Sequence, residues 1–211
     1  MKSHYKQMLF AMIGFLVCVM GVWWYLVKRA EWDARSLFRE SLRLQIGNAQ
    51  AADVLDLVRN APGEKYGFGP CLAGHVDCIG TIYVANTWLD RFYLARSSTF
   101  GARFVVTNNR LTNREFLMES HNVFHSEASC FVFVDEGMGG PGWPAFKAYR
   151  ESNGVGVNMT TDAAEDMRKA AYAFNFGCLV KIGGCQTDGE MLPIVNRKDF
   201  IAPQDSAGTY K

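Results

Sequence analysis

The sequence predicts an α+β protein: an N-terminal transmembrane helix, a helix pair, an antiparallel β-sheet and a C-terminal helix. Three observations carry this expectation. An uncharged apolar run lies near the start of the chain. Apolar residues then recur at the spacing of an amphipathic helix, and from Ile79 onward the period drops to two.

The run from Met8 to Val27, MLFAMIGFLVCVMGVWWYLV, is twenty residues without a charge. At about 1.5 Å of rise per residue it covers roughly 30 Å, the hydrocarbon thickness of a bilayer. Trp23, Trp24 and Tyr25 close it, where amphipathic rings favour the membrane interface. A cleavable signal peptide has an apolar region of about 7–15 residues and a small-x-small site. Here the run is longer, and KRAEWDA offers Trp32 and Ala34 at the two positions that should be small. An uncleaved anchor is the expectation, with residues 1–29 as cytoplasmic N-terminus and span. The positive charges flanking the span are nearly balanced, so cysteine usage sets the orientation. Four of the five cysteines beyond the span form two C-x6-C pairs, Cys71 with Cys78 and Cys178 with Cys185. Paired cysteines suit an oxidising compartment. Residues 30–196 are therefore expected as a single domain outside the cytoplasm, followed by a polar tail, 197–211, with the protein a single-pass resident of the cell membrane.

Residues 1–29 hold four basic and no acidic residues, which leaves 18 basic against 21 acidic in the rest, about −3. No basic block is present, so the electrostatic footprint of a nucleic-acid binder is missing. Beyond the span, Ala34, Leu37, Phe38, Ser41, Leu42 and Gln45 lie on one helical stripe, ended by Gly47. Asn48 is placed to cap a second helix with Ala51, Val54, Leu55 and Val58 inward. APGEKYGFGP stops it. IGTIYVAN, RFYLAR, ARFVVTNN, REFLMES, SCFVFVDEG and GVGVNMT read as strands, with TNNR as a hairpin turn and GMGGPGWPAF as a loop. Near the end TTDAAEDMRKAAYAF reads as a helix capped by Asp162, and LPIVNRKDFIAPQDSAGTYK as a polar segment with little to pack.

LRLQIGNAQAADVLDLV resembles the start of small bacterial envelope domains of the SmpA/OmlA type, where a glycine precedes a hydrophobic second helix and strands follow. The likeness covers some thirty residues and implies the order helix pair, then sheet. With ANTWLDRFYLA before a strand and AFNFGCLVKIGGC near the end, the chain is also similar to uncharacterised single-pass bacterial envelope proteins. Neither resemblance brings an activity or a catalytic residue.

The cysteine pairs have several readings. C-x6-C is too loose for a zinc knuckle, and a C-x-x-C redox site is absent. Gly183 and Gly184 can reverse the chain between Cys178 and Cys185, and LAGHVD between Cys71 and Cys78 suits a hairpin loop that leaves His75 solvated. Two local disulfides, a cross-pairing of the four, and buried free thiols remain the alternatives. His121 and His125 lie about 13 Å apart on a strand, too far to share an ion, but close enough on a helix. Asp135 and Glu136 adjoin and would face opposite sides of a sheet, which leaves no carboxylate pair there for acid–base work. A serine nucleophile elbow, a Walker loop and a dinucleotide fingerprint are missing, and neither metal nor cofactor is expected. Trp88, Tyr93, Trp143 and Tyr149 are the candidates for a recognition surface. The favoured reading is a membrane-anchored extracytoplasmic binding or assembly module of the bacterial envelope, meeting a protein partner through its sheet face or a strand edge. The rivals are a thiol- or metal-dependent enzyme using Cys130 with His121 or His125, and a pilin-like subunit. The last shares the long N-terminal helix and C-terminal cysteine loop, but lacks a small-residue processing site and an acidic residue inside the apolar segment.

Overall fold

The apolar run and the amphipathic stretch behind it form one helix. The computed structural model describes residues 2–91, 96–121, 129–140, 143–151 and 154–196, and its first element is α1, Lys2–Arg43. Forty-two residues make this helix about 63 Å long. Neither Gly nor Pro stands between Gly21 and Gly47 to interrupt it. Across the junction Glu31 is bridged by Lys28 (2.7 Å) and Arg35 (2.9 Å), pairs at the i,i+3 and i,i+4 spacings that support a helix. The expected helix pair is thus corrected: its first member is the continuation of the apolar segment. Residues 6–22 are exposed throughout, whereas Ala30, Ala34, Leu37, Phe38 and Ser41 are buried. By length and composition α1 is capable of crossing a membrane.

After Gly47, in the left-handed region at φ +84°, comes α2, Ala51–Asn60, which buries Ala51, Val54 and Val58. Its cap is Gln50, not Asn48; the Gln50 N–H donates to the Asp53 carboxylate (2.8 Å). Then follow β1 (Glu64–Tyr66), α3 (Gly69–Leu72), β2 (Cys78–Ala85), α4 (Thr87–Arg91), β3 (Arg96–Thr107), β4 (Arg110–His121), β5 (Ser129–Gly137), β6 (Phe146–Glu151), β7 (Gly154–Thr160), α5 (Glu165–Ala171) and α6 (Asp188–Met191). The sheet has seven strands in the order β1-β2-β3-β4-β5-β7-β6. Asn108 and Asn109, both at positive φ, make the two-residue turn between β3 and β4.

The sheet is mixed, which corrects the antiparallel expectation. β7 inserts between β5 and β6 and pairs with β5 in parallel, Val132 opposite Val155 and Val134 opposite Val157. β7 is buried at nearly every position, as suits an interior strand. β6, not expected from its polar-rich sequence, takes the edge.

One face of the sheet is covered. Ile82, Phe100, Ala102, Phe104, Phe116, Met118, Val132, Val134, Val155 and Val157 point into a core closed by α1, α2 and the segment after α5. Phe38 of α1 stands among Phe100, Phe116, Tyr172, Phe174 and Phe176, with centroids 4.8–6.1 Å away. The helix α5 is shorter than expected and is preceded by Ala164 rather than capped by Asp162. Met191, Leu192, Ile194 and Val195 are buried, so the supposedly loose segment joins the core as far as residue 196. Residues 197–211 lie outside the described residues.

Candidate functional site

Both C-x6-C pairs are bonded. Cys71 and Cys78 have Cα atoms 5.4 Å apart, and Cys178 and Cys185 5.2 Å. Gly183 (φ +81°) and Gly184 (φ +69°) make the second reversal. The loop is tied down beyond the sulfurs. The Cys185 N–H donates to the Ser120 hydroxyl (3.0 Å), and the Asn86 side chain donates to Leu179 O (2.7 Å) and Val27 O (3.2 Å). Asn86 thereby joins α1, the end of β2 and the disulfide loop in one place.

Asp135 and Glu136 do face opposite sides. Glu136, fully buried under the helices, accepts from Arg114 Nη2, from Arg168 Nη2 (2.6 Å) and from the Tyr172 hydroxyl. Burial drives the Tyr172 pKa far up, with the Arg114 charge opposing and Glu136 adding to the rise, so it acts here as a donor. Arg114 also donates to Ser41 O and Leu44 O (3.0 Å), carbonyls at and just beyond the C-terminal end of α1. This cluster locks helix to sheet.

On the other face no helix lies among the described residues. Strand register sets out transverse rows there. One runs Tyr66, Thr81, Arg103, Glu115, Asp135, Asn158, Lys147 across all seven strands, and its neighbour runs Tyr83, Gly101, Leu117, Phe133, Gly156, Tyr149. In the second row the rings lie over the glycines. A Cβ at Gly156 would fall 2.4 Å from Phe133 Cζ and 2.7 Å from Tyr149 Cζ, so only glycine admits them. Phe133 meets Tyr149 edge-on at 5.7 Å, and the Tyr149 hydroxyl donates to Asn158 Oδ1 at 3.4 Å. A 330 Å³ depression beside them is lined by Tyr66, Tyr83, Arg103, Glu115 and Leu117 among others.

The first row carries the electrostatics. Glu115 and Asp135 are direct cross-strand partners, and Arg103 pairs with Glu115 at 3.3 Å. Burial pushes both carboxyls above their usual range; at Glu115 Arg103 pulls back in part and Asp135 adds to the rise, while at Asp135 a hydrogen bond from the Asn113 side chain and then Arg103 oppose it. Asp135 Oδ1 and Asn113 Oδ1 are buried acceptors without a hydrogen bond. Like charges placed opposite each other, with acceptors unfilled, form a surface that favours donors. Sequence reasoning found Asp135 but missed its partner, since Glu115 lies twenty residues earlier and only strand register brings the two together.

Of the aromatic candidates, Tyr149 stands in this face. Trp88 packs elsewhere, with Val27, Leu89 and Trp23 beside α1, under the Arg91 guanidinium at 5.5 Å. Trp143 is exposed ahead of β6, and Tyr93 lies outside the described residues. His125 is likewise outside them, and His121 ends β4 opposite Ser129. Cys130 sits across from Ser120, its thiol donating to Gln186 O at 3.4 Å. Burial, then Asp188 and Glu190, raise its pKa, which disfavours the thiolate that a nucleophile needs. His75 lies in the disulfide-closed loop. Among the described residues no three His, Cys, Asp or Glu gather as metal ligands. No family model matches the chain, and no curated protein or solved structure matches it.

Proposed function

We propose that the protein is a membrane-anchored, extracytoplasmic module of a bacterial envelope that binds a protein partner through the open face of its sheet. The observation carrying this reading is the transverse row on that face. Two desolvated carboxylates, with one oxygen of Asp135 and the Asn113 amide oxygen unfilled, beside an aromatic strip, suit a surface that supplies N–H or cationic donors over apolar area. The resemblance of the helix-then-sheet segment to envelope domains agrees with it, and so do the bonded cysteines, which belong in an oxidising compartment. A photo-crosslinking residue placed at Leu117 or Phe133 should capture one partner in growing cells, while the same residue at Asp166 on α5 should not. Equal labelling from both positions, or none from the sheet, would sink this reading.

A pilin-like subunit is the second reading. The observation favouring it is the continuity of α1, exposed and apolar in one half and built into the core in the other, together with the C-terminal disulfide loop. Its mark would be self-association: photo-crosslinking from residue 18 should then join copies of this chain to one another.

A further inference from the structure

We propose that a cleft at the base of the domain holds the headgroup of an anionic phospholipid from the bilayer that α1 crosses. The inference rests on the reading of α1 as a membrane span. The cleft has a volume of about 500 Å³ and lies between α1 and the segment after α5; Trp32, Arg35, Phe38 and Arg39 of α1 face Tyr172, Phe174 and Phe176. Its walls are aromatic and its rim is cationic.

Height decides the class of occupant. A headgroup layer is roughly 5–8 Å deep beyond the hydrocarbon. Trp32 is five residues beyond Val27, about 7.5 Å along the axis. Helical side chains lean toward the N-terminus, here toward the bilayer. Arg35 accordingly reaches back one turn to Glu31 (2.9 Å), which brings its guanidinium down to the level of Trp32, where it lies 5.2 Å over the Phe176 ring. Arg39 reaches back in the same way, Nε donating to Arg35 O at 3.3 Å, and among the described residues no carboxylate pairs with it. Tyr25, Lys28, Trp32, Arg35 and Arg39 form one stripe at helical spacing, running from the interface into the cleft. Tyr25 and Trp24 meet Trp32 edge-on at 5.7 and 6.2 Å, an aromatic collar at the depth of the glycerol backbone.

Charge sets the sign. Residues 28–39 hold four basic side chains against two acidic, and Glu31 already shares Lys28 and Arg35. The surplus positive charge faces the cleft. A phosphodiester beside Arg35, with the outer headgroup toward Arg39 and the glycerol against Trp32, satisfies both walls and rim. A zwitterionic choline headgroup brings a cation to the same rim.

The test uses the full chain in detergent, titrated with phosphatidylglycerol or phosphatidylcholine and read by native mass spectrometry. One phosphatidylglycerol per chain should bind at least about tenfold more tightly than phosphatidylcholine. Arg39→Gln and Trp32→Ala should each remove most of that preference. Arg29→Gln, nearer the bilayer on the same helix but off the stripe and paired with Asp33, should leave it intact, and free glycerol phosphate should not displace the lipid. Equal affinity for the two lipids overturns the proposal, as does an Arg29→Gln loss as large as that of Arg39→Gln, which would mean general attraction to negative lipid. Carbonate extraction of cell membranes tests the underlying span by itself. A chain that leaves the membrane refutes the span, whereas one that stays without lipid preference refutes only the cleft.

Discussion

Glu136 and Asp135 are neighbours in sequence and opposites in environment. Glu136 has a full set of donors, and its two guanidiniums have no other carboxylate in that cluster. Glu136→Gln should destabilise the domain by about 3–5 kcal/mol in urea unfolding, because a buried, uncompensated Arg114 remains. Asp135 behaves in the reverse sense. Its ordinary pKa is 3.8 and burial raises the folded-state value, so the unfolded chain ionises first. The ionised carboxylate therefore opposes folding above the raised value, and that opposition disappears as pH falls through the raised value toward the unfolded one. Asp135→Asn should raise the melting temperature at pH 7, with the difference from wild type closing below pH about 4, near the usual carboxylate range. A lower melting temperature at pH 7 would show that the carboxylate is well satisfied where it stands. The alternation of strand residues announced that these two would part company. Which of them would be paired, and with what, depended on residues twenty or more positions away.

Among the elements, the disulfide loop gives the sharpest expectation. Closing eight residues stabilises by about 2.5 kcal/mol on the chain-entropy estimate. Cys185→Ser should lower the melting temperature by roughly 5–10 °C without reductant and by little with it. Peptide mapping of the non-reduced protein should find Cys178 and Cys185 in one cross-linked species, and finding both alkylatable would refute the bond. Asn86, which holds the same loop to α1, should cost about 1–3 kcal/mol as Asn86→Ala, since Leu179 O and Val27 O are then left unfilled. Sequence patterns located the strands with strong alternation and the Asn-Asn turn. They missed β6, whose sequence FKAYRE carries three charges, and they split α1 where no helix breaker exists.

For the whole molecule, the continuity of α1 makes the apolar N-terminal segment part of the domain's architecture. Its outer half contributes Ala34, Leu37 and Phe38 to the core, and Phe38 alone touches five aromatic rings. A chain beginning at residue 30 should be soluble and unfold in one transition. A chain beginning at residue 48 should not fold, because the sheet then exposes its aromatic core. Soluble, cooperative unfolding of the shorter chain would show that α1 merely rests on the domain. No Gly or Pro interrupts α1 between Gly21 and Gly47, so its apolar half and the half packed on the sheet are one continuous helix.

What the sequence determined by itself was whatever depends on neighbours along the chain: an apolar run long enough for a bilayer, the α+β order, the strand period, and glycines that permit cysteines seven apart to meet. Tertiary structure alone decided the parallel insertion of β7, the buried Glu136 cluster, the pairing of Glu115 with Asp135, and the aromatic cleft beside Arg35. Each of these joins residues from distant segments. Their geometry follows from strand register and from the packing of one helix face on one sheet face, and local periodicity does not encode which distant segment completes a given surface.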